Sequence, residues 1–245
     1  MKNMIAFLFA VCFLSGCAVA PLQKEAIAKG VKVGIVVRDF PQELRHVHIG
    51  TTVFNNFDKN YPLSFNMSEH VINRASQDLK NLGYLPISLK LTDPEQQELQ
   101  QAVKRSDWDG SFSLSPTAQN TLSALKQKYG VDLIITYYSD NHFPAGNYGL
   151  FTQSFFNMNL FKVYSFINMD AVKTDPPAIN GHGQYIDNPP LPEFNTPLDF
   201  KNIPATEIYK VESAIMKRID LFIDNTVESS TSARKPKEIE GAFIL

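Results

Sequence analysis

The chain has 245 residues, of which 44% are hydrophobic and 20% are charged. This composition excludes disordered, collagen-like and coiled-coil chains, and the length allows one large domain or two small ones. The 23 basic and 25 acidic residues give a net charge of −2, so no basic excess points to nucleic-acid binding.

The N-terminus combines a short positive start with an apolar run that ends at a cysteine. Lys2 precedes eleven consecutive apolar residues, 4–14, where a membrane-spanning helix needs roughly 20. Eleven residues match the h-region of a secretory signal peptide. The run ends in Leu14-Ser15-Gly16-Cys17, which resembles the lipobox of bacterial lipoproteins. The alternative is a plain signal peptide with a chance cysteine.

The lipobox resemblance implies a lipid anchor. It predicts a signal peptide over 1–16, cleavage after Gly16, and diacylglyceryl and palmitate chains on Cys17, followed by a tether up to residue 30. Two or three acyl chains hold a protein stably on a membrane. Ala18 implies sorting to the outer membrane with the domain facing the periplasm. Cys12, the only other cysteine, lies in the removed peptide, which predicts a mature protein without a disulfide or a Cys ligand.

The remaining elements follow from hydrophobic periodicity and from helix start and stop signals. Strands are predicted at 31–38, 44–57, 84–91 and 131–138, within 146–174, and near 184–186. Helices are predicted from Asn66 to Gly83, from Asp93, from Ser115 to Gly130, and from Pro204 to Thr226. Helices placed between strands predict an α/β domain with a mixed β-sheet flanked by helices.

We therefore expect a single periplasmic α/β domain over 31–228. It contains a β-hairpin or meander near 147–186 and a long C-terminal helix. Residues 229–245 are predicted to form a flexible tail with an apolar C-terminus.

The order of elements resembles two groups of accessory lipoproteins, the curli-secretion lipoproteins (CsgG-like) and the penicillin-binding-protein activators (LpoB-like). The resemblance is carried by the first strand at 31–37, the segment 130–135, the meander at 160–186 and the closing helix. The chain has Thr136-Tyr137-Tyr138 where these proteins have a Gly, and it lacks their Asp-x-x-Thr-Gly turn. The resemblance thus implies a fold and an accessory role, and it transfers no functional residue.

His46 and His48 form the one candidate metal motif. They are two residues apart on a predicted strand, so that both side chains face the same way. A zinc site would need a third ligand from His70, His142 or His182. The favoured interpretation is a solvent-facing edge strand whose apolar face carries Val47 and Ile49.

Other polar clusters fall in predicted loops and suggest no reaction. His182 between two glycines and the segment 140–142 are typical of turns. Asp107 and Asp109 flank Trp108, which is either a sugar platform or, as we favour, a loop anchored by one buried Trp. No nucleophile elbow, phosphate loop or dinucleotide fingerprint occurs. We therefore predict no catalytic, cofactor or metal site.

Two apolar segments allow several interpretations. The aromatic stretch from Tyr148 to Phe166 is predicted to be core, with a partner patch second and a pore-forming hairpin third. The C-terminal Phe243-Ile244-Leu245 either docks into a partner by β-addition or packs back onto the domain.

The sequence thus predicts a non-enzymatic envelope lipoprotein that acts as a binding or assembly factor. Its expected partners are the membrane, through Cys17, and an envelope protein, with a possible homo-oligomer. The alternatives are a subunit of an oligomeric secretion channel and a periplasmic hydrolase or metal-binding enzyme that uses the His46/His48 face.

Overall fold

A computed structural model describes residues 26–106, 111–139, 147–155, 158–187, 200–232 and 242–244. The strands are β1 (Lys32–Arg38), β2 (Glu43–Ile49), β3 (Phe57–Pro62), β4 (Leu85–Ser88), β5 (Val103–Arg105), β6 (Phe112–Leu114), β7 (Leu133–Ser139), β8 (Tyr148–Phe155), β9 (Met158–Thr174), β10 (Pro177–Asp187) and β11 (Ala242–Ile244). The helices are α1 (Met67–Asn81), α2 (Asp93–Gln100), α3 (Ala118–Tyr129) and α4 (Ala205–Thr231).

The strands form one mixed sheet, which confirms the predicted α/β class. Nine strands belong to it, and its main path is β3-β2-β8-β9-β7-β1-β4, while β5 and β6 form a separate hairpin. The 17-residue strand β9 organises the sheet. Its first half pairs with β8 and its second half with both β7 and β10. The predicted meander near 147–186 is therefore confirmed as β8, β9 and β10.

Helices cover the sheet on both faces, so that the domain has two hydrophobic cores. The larger core lies beneath α1 and α4 and includes Val33 and Ile35 of β1. The smaller core lies beneath α2 and α3 and includes Val36. Because successive side chains of a strand point to opposite faces, β1 contributes to both cores. This double burial explains why the parallel strands β1 and β7 carry nearly continuous apolar residues.

The start of α1 and the end of α3 lie where their capping residues predict. The Asn66 side chain accepts a hydrogen bond of 3.0 Å from the Glu69 backbone N–H at the start of α1. Gly130 adopts a left-handed conformation, with φ of 67°, at the end of α3. The apolar stripe predicted for the last helix is buried in α4, as Ile208, Val211, Ile215, Ile219 and Phe222.

Three elements differ from the prediction. The extended segment expected at 44–57 is two antiparallel strands, β2 and β3, with a short 3-10 turn at Val53–Asn55 between them. The short strand expected near 184–186 is the 11-residue β10. The last helix continues past Thr226 to Thr231. The domain limits of 31–228 and 229–245 remain a prediction.

Both ends of the described chain return to the domain. Ile27 is buried, and its backbone N–H donates to the Thr231 carbonyl at 3.0 Å. Strand β11 pairs antiparallel with β10, with Ile244 opposite Gly183. Of the two alternatives for the apolar C-terminus, the structure therefore has the one in which it packs back onto the domain. Among the described helices, none is both long and apolar enough to cross a membrane.

Candidate functional site

A polar crevice lies on the sheet face that α2 and α3 cover only in part. On this face the apolar residues of the smaller core give way to polar side chains toward the carboxyl ends of β1 and β7. The strand register places Arg38, Tyr138, Asn168 and Gln184 side by side across β1, β7, β9 and β10. Gln100 and the β5–β6 hairpin close the crevice, whose volume is about 250 Å³.

Arg38 is the cation at the floor of this crevice. Its guanidinium lies over the Tyr138 ring, 4.5 Å from the ring centroid, and its side chain is 12% exposed. One guanidinium nitrogen donates to Asp39 at 2.9 Å, but that carboxylate is 59% exposed. Nε of Arg38 is buried and donates to no acceptor among the described residues. The charge of Arg38 is therefore only weakly compensated by the protein.

A histidine–carboxylate pair, His182 and Asp170, also lines the crevice. His182 Nδ1 lies 2.7 Å from Asp170 Oδ1, and the two residues are direct neighbours in the β9–β10 ladder. The Phe112 ring of β6 packs on the His182 imidazole with 4.0 Å between centroids. The hairpin also brings exposed Arg105 to the crevice wall. The arrangement places two arginines and several amide groups around one concave surface.

The prediction of a loop around His182 is wrong. His182 lies in β10 and is buried, since it is 7% exposed. Its flanking glycines are explained by helix packing rather than by a turn. A Cβ added at Gly181 would lie 2.9 Å from Ser230 Oγ, and one at Gly183 would lie 3.1 Å from Thr226 Cγ2. Helix α4 therefore packs directly on the backbone of β10, which only glycine allows.

The second polar cluster joins His46 and His48 through one hydroxyl. His46 Nε2 and His48 Nδ1 each lie 2.7 Å from Thr152 Oγ1 on the neighbouring strand β8. Because the hydroxyl has a single hydrogen, at most one imidazole accepts from Thr152, and at least one donates to it. Aromatic rings enclose the pair, since Phe57 lies 4.9 Å from both imidazoles and Phe200 lies 4.8 Å from His48.

Burial keeps this histidine pair neutral. Desolvation, assisted by repulsion from His48 and Lys59, lowers the pKa of His46 to about 4. Desolvation, with repulsion from Lys201, also lowers the pKa of His48. A charged imidazole here would lose its hydration without gaining a carboxylate partner.

The predicted solvent exposure of His46 and His48 is wrong, and the two faces of β2 are the reverse of the expectation. His46 and His48 are 0% and 5% exposed, whereas Ile49 is 36% exposed. β2 is not an edge strand, because it lies between β3 and β8.

The proposed third metal ligands do not join the pair. His70 contacts Asp220 at 2.8 Å and His182 contacts Asp170. In the parts of the chain that the structure describes, no three His, Cys, Asp or Glu side chains form a group able to hold a metal ion. His142 lies outside the described residues.

The aromatic stretch belongs largely to the core. Tyr148, Phe161 and Tyr164 are buried, and Phe151 and Phe166 are half-buried in the β8–β9 hairpin. Several other predicted features lie outside the described residues. These are the lipobox with Cys17, the tether up to residue 25, Asp107-Trp108-Asp109, the segment 140–142 and Leu245.

Sequence reasoning missed the crevice because its residues come from four different strands, which are neighbours in the sheet but not all neighbours along the chain. Asn168 and Asp170 do stand out, since they alternate with apolar residues along β9. Arg38 carries no such signal, because a polar residue at the end of a strand is common. Only the register of β1, β7, β9 and β10 brings these residues together.

Comparison with known proteins identifies no family. No protein-family model matches the chain, and no curated protein matches it. Similar solved structures include three bacterial proteins. A point variant of PelC from Paraburkholderia phytofirmans, a dodecamer, is 8% identical over 85% of this chain and 95% of its own, with a TM-score of 0.35. Lipoprotein GNA1162 from Neisseria meningitidis is 10% identical over 77% and 97%, with a TM-score of 0.31.

The third similar structure is the C-terminal domain of LpoB from Salmonella enterica. It is 11% identical over 68% of this chain and 89% of its own, with a TM-score of 0.24. At these identities and TM-scores, none of the three likenesses carries a functional argument.

Proposed function

We propose that this chain is a lipid-anchored envelope lipoprotein whose α/β domain is a non-enzymatic binding or assembly factor. The observation that carries the proposal is Leu14-Ser15-Gly16-Cys17 at the end of an eleven-residue apolar run. The small residues before Cys17 admit a peptidase, and its thiol is the nucleophile that accepts lipid. Ala18 favours the outer membrane as the destination, with the domain in the periplasm.

The position of the domain relative to Cys17 supports a binding role. Ile27, the first buried residue in the part of the chain that the structure describes, follows Cys17 by ten residues, which reach about 35 Å at most. From there β1 runs from Lys32 to Arg38, so that the tether joins one end of this strand and the crevice lies at the other. The anchor therefore attaches at the end of β1 opposite the crevice.

The anchor is tested by substituting each cysteine in turn. Cys17→Ser should release the protein from membranes and abolish incorporation of a palmitate analogue, while Cys12→Ser, within the predicted signal peptide, should change neither. Membrane fractionation and mass spectrometry of the N-terminal peptide measure both effects. A Cys17→Ser protein that still sediments with membranes and carries lipid overturns the anchor.

The binding role is tested by photo-crosslinking of the full chain in cells. A photo-crosslinking residue can replace each of the three most exposed large apolar side chains that the structure describes. These are Phe54 at 88%, Tyr209 at 62% and Leu85 at 53% exposure. Large apolar side chains in water are candidates for partner contacts. A discrete second protein captured at one of these positions supports the assembly factor.

Two other outcomes decide between the alternatives. A ring of self-crosslinked copies replaces the proposal with the channel subunit. Stoichiometric zinc in the purified protein, lost in a His46→Gln variant, replaces it with a metal-binding enzyme.

A further inference from the structure

We propose that the crevice at the carboxyl ends of β1 and β7 binds a small ligand through a carboxylate or phosphate group. The proposal deepens the binding role proposed above and rests on it, because it names the ligand chemistry of the domain. It does not depend on the lipid anchor, and the two are tested separately.

The place of the crevice in the fold is the first argument. β1 and β7 are parallel neighbours, and the crevice lies on one face of the sheet at the carboxyl ends of both strands, where Arg38 and Tyr138 line it. Small ligands bind in concave sites that carry a few convergent polar groups, as this end of the sheet face does. Here α1 packs on one face and α2 and α3 on the other, and the core beneath α2 and α3 ends before the crevice begins.

The charge balance is the second argument. Arg38 and Arg105 both line the crevice, and the acidic side chain in its lining, Asp170, already contacts His182 at 2.7 Å. Arg38 meets the exposed carboxylate of Asp39, and its buried Nε has no acceptor in the described part of the chain. A buried N–H of a charged group is costly to leave unpaired. An oxyanion in the crevice supplies the charge compensation that the exposed Asp39 gives only weakly.

The shape of the cationic groups is the third argument. The Arg38 guanidinium is held against the Tyr138 ring, which leaves its edge to form parallel hydrogen bonds. Planar guanidinium groups match the two oxygens of carboxylate and phosphate groups. Gln100 and Gln184 also line the crevice and add amide groups that can fix the orientation of a ligand. A volume of about 250 Å³ suits a small organic anion rather than a folded partner.

The test is isothermal titration of the purified full chain with three probes. Inorganic phosphate and succinate represent the two oxyanions, and succinamide is a neutral isostere of succinate. We expect saturable binding of at least one anion, weakened by added salt, and none of succinamide. The stronger of the two anions identifies which oxyanion the crevice prefers.

Variants locate the binding. Arg38→Gln and Arg105→Gln should each weaken the affinity by about tenfold or more, the loss expected for one charge-assisted hydrogen bond. Lys32→Gln removes the same charge from the other end of β1, and Lys104→Gln removes it from the residue next to Arg105. Both control variants should bind as the parent does. Thermal unfolding verifies that each variant is folded. Because Arg105 is exposed, Arg105→Gln tests the proposal even if Arg38→Gln is unstable.

Three outcomes overturn the proposal: no binding of either anion, equal binding of succinamide, or equal losses in the control variants. The Cys17→Ser chain separates this failure from failure of the anchor. It should bind the anions as the parent does, whether or not it is released from the membrane.

Discussion

Thr152 shows how a single hydroxyl stabilises two buried histidines. Its Oγ1 satisfies one ring nitrogen of His46 and one of His48, while His46 Nδ1 is already buried without a partner among the described residues. Each further buried group that loses its partner costs about 1–3 kcal/mol. The cluster is therefore sensitive to loss of the hydroxyl and tolerant of a loss of the methyl group.

We expect Thr152→Val to lower the free energy of unfolding by about 2–4 kcal/mol, because it keeps the shape of the side chain and removes both hydrogen bonds. Thr152→Ser keeps the hydroxyl and should cost about 1 kcal/mol for the lost methyl group. Urea denaturation at about pH 7.5, where both imidazoles are neutral, measures both. Equal losses in the two variants would show that packing, and not hydrogen bonding, holds the pair.

The same cluster makes stability depend on pH. The pKa of His46 is lowered to about 4 in the folded chain from an ordinary value of 6.5. Between these values the unfolded chain binds a proton that the folded chain does not. Stability from His46 is thus fully present above pH 6.5 and is lost as the pH falls to about 4, by up to about 3 kcal/mol.

We therefore expect the loss of stability between about pH 7 and pH 4.5 to be smaller in His46→Gln than in the parent, by roughly 2 kcal/mol. The contribution of Asp78 to the pH dependence of stability has the opposite sign. Burial and its neighbour Asp224 raise the pKa of Asp78 to about 6, because they destabilise its ionised form. Asp78→Asn should therefore enlarge the acid loss, which makes it a control for the sign. Denaturant unfolding at the two pH values measures these changes. A His46→Gln variant with the parent's pH dependence would contradict the assignment.

At the scale of elements, the contact between α4 and β10 depends on glycine. A Cβ at Gly183 would meet Thr226 Cγ2 at 3.1 Å and Phe222 Cζ at 3.2 Å. We expect Gly183→Ala to destabilise the domain by about 1–3 kcal/mol, the usual cost of overpacking. Thr226→Ser removes Cγ2 and keeps the hydroxyl that contacts Tyr137 at 3.1 Å.

A double-mutant cycle checks this contact. Thermal unfolding of Gly183→Ala, Thr226→Ser and the combination should give a favourable coupling energy, because the serine makes room for the new methyl group. If the two changes in stability are strictly additive, the cost of Gly183→Ala does not come from its contact with Thr226.

The same contact explains which elements the sequence predicts. Helix α4 is predictable because Ile208, Val211 and Ile215 repeat at helical spacing. Strand β10 is predicted only near 184–186, because Pro177, Gly181 and Gly183 in its earlier part are typical of turns. The role of Gly181 and Gly183 is set by α4, whose contacting residues lie 39 to 49 positions further along the chain. Tertiary packing overrides local preference here.

For a related reason, the sequence could not predict which face of β2 is buried. Alternation alone places Val47 and Ile49 inside, since histidine is the more polar residue. The structure buries His46 and His48 instead, because Thr152 satisfies them and aromatic rings cover them. The partner that reverses the faces is 106 residues from His46 along the chain, so its effect is invisible in the local pattern.

At the scale of the whole molecule, the end of α4 joins parts of the chain that are far apart in sequence. Ser229, Ser230 and Thr231 are buried, although they lie in the predicted tail. The Thr231 carbonyl accepts hydrogen bonds from the Ile27 backbone and from the Tyr84 hydroxyl, at 3.0 and 3.2 Å. The Ser230 carbonyl accepts one of 2.6 Å from the Asn180 side chain. This helix end therefore closes the domain around its N-terminal segment.

The closure gives a sharp prediction for two truncated chains. A chain that ends at residue 228 removes the two carbonyls that accept from Ile27, Tyr84 and Asn180, although the Tyr84 hydroxyl keeps the Ile27 carbonyl at 3.1 Å. Each buried donor left unpaired costs about 1–3 kcal/mol. A chain that ends at residue 232 also lacks β11 but keeps both carbonyls. We expect the shorter chain to be less stable by about 3 kcal/mol or more, or to fail to fold, as measured by urea denaturation. Equal stability of the two chains would place the boundary of the domain at residue 228, where the composition of the sequence alone puts it. A difference of the expected size would mean that the residues which close the domain next to its tether lie beyond that boundary.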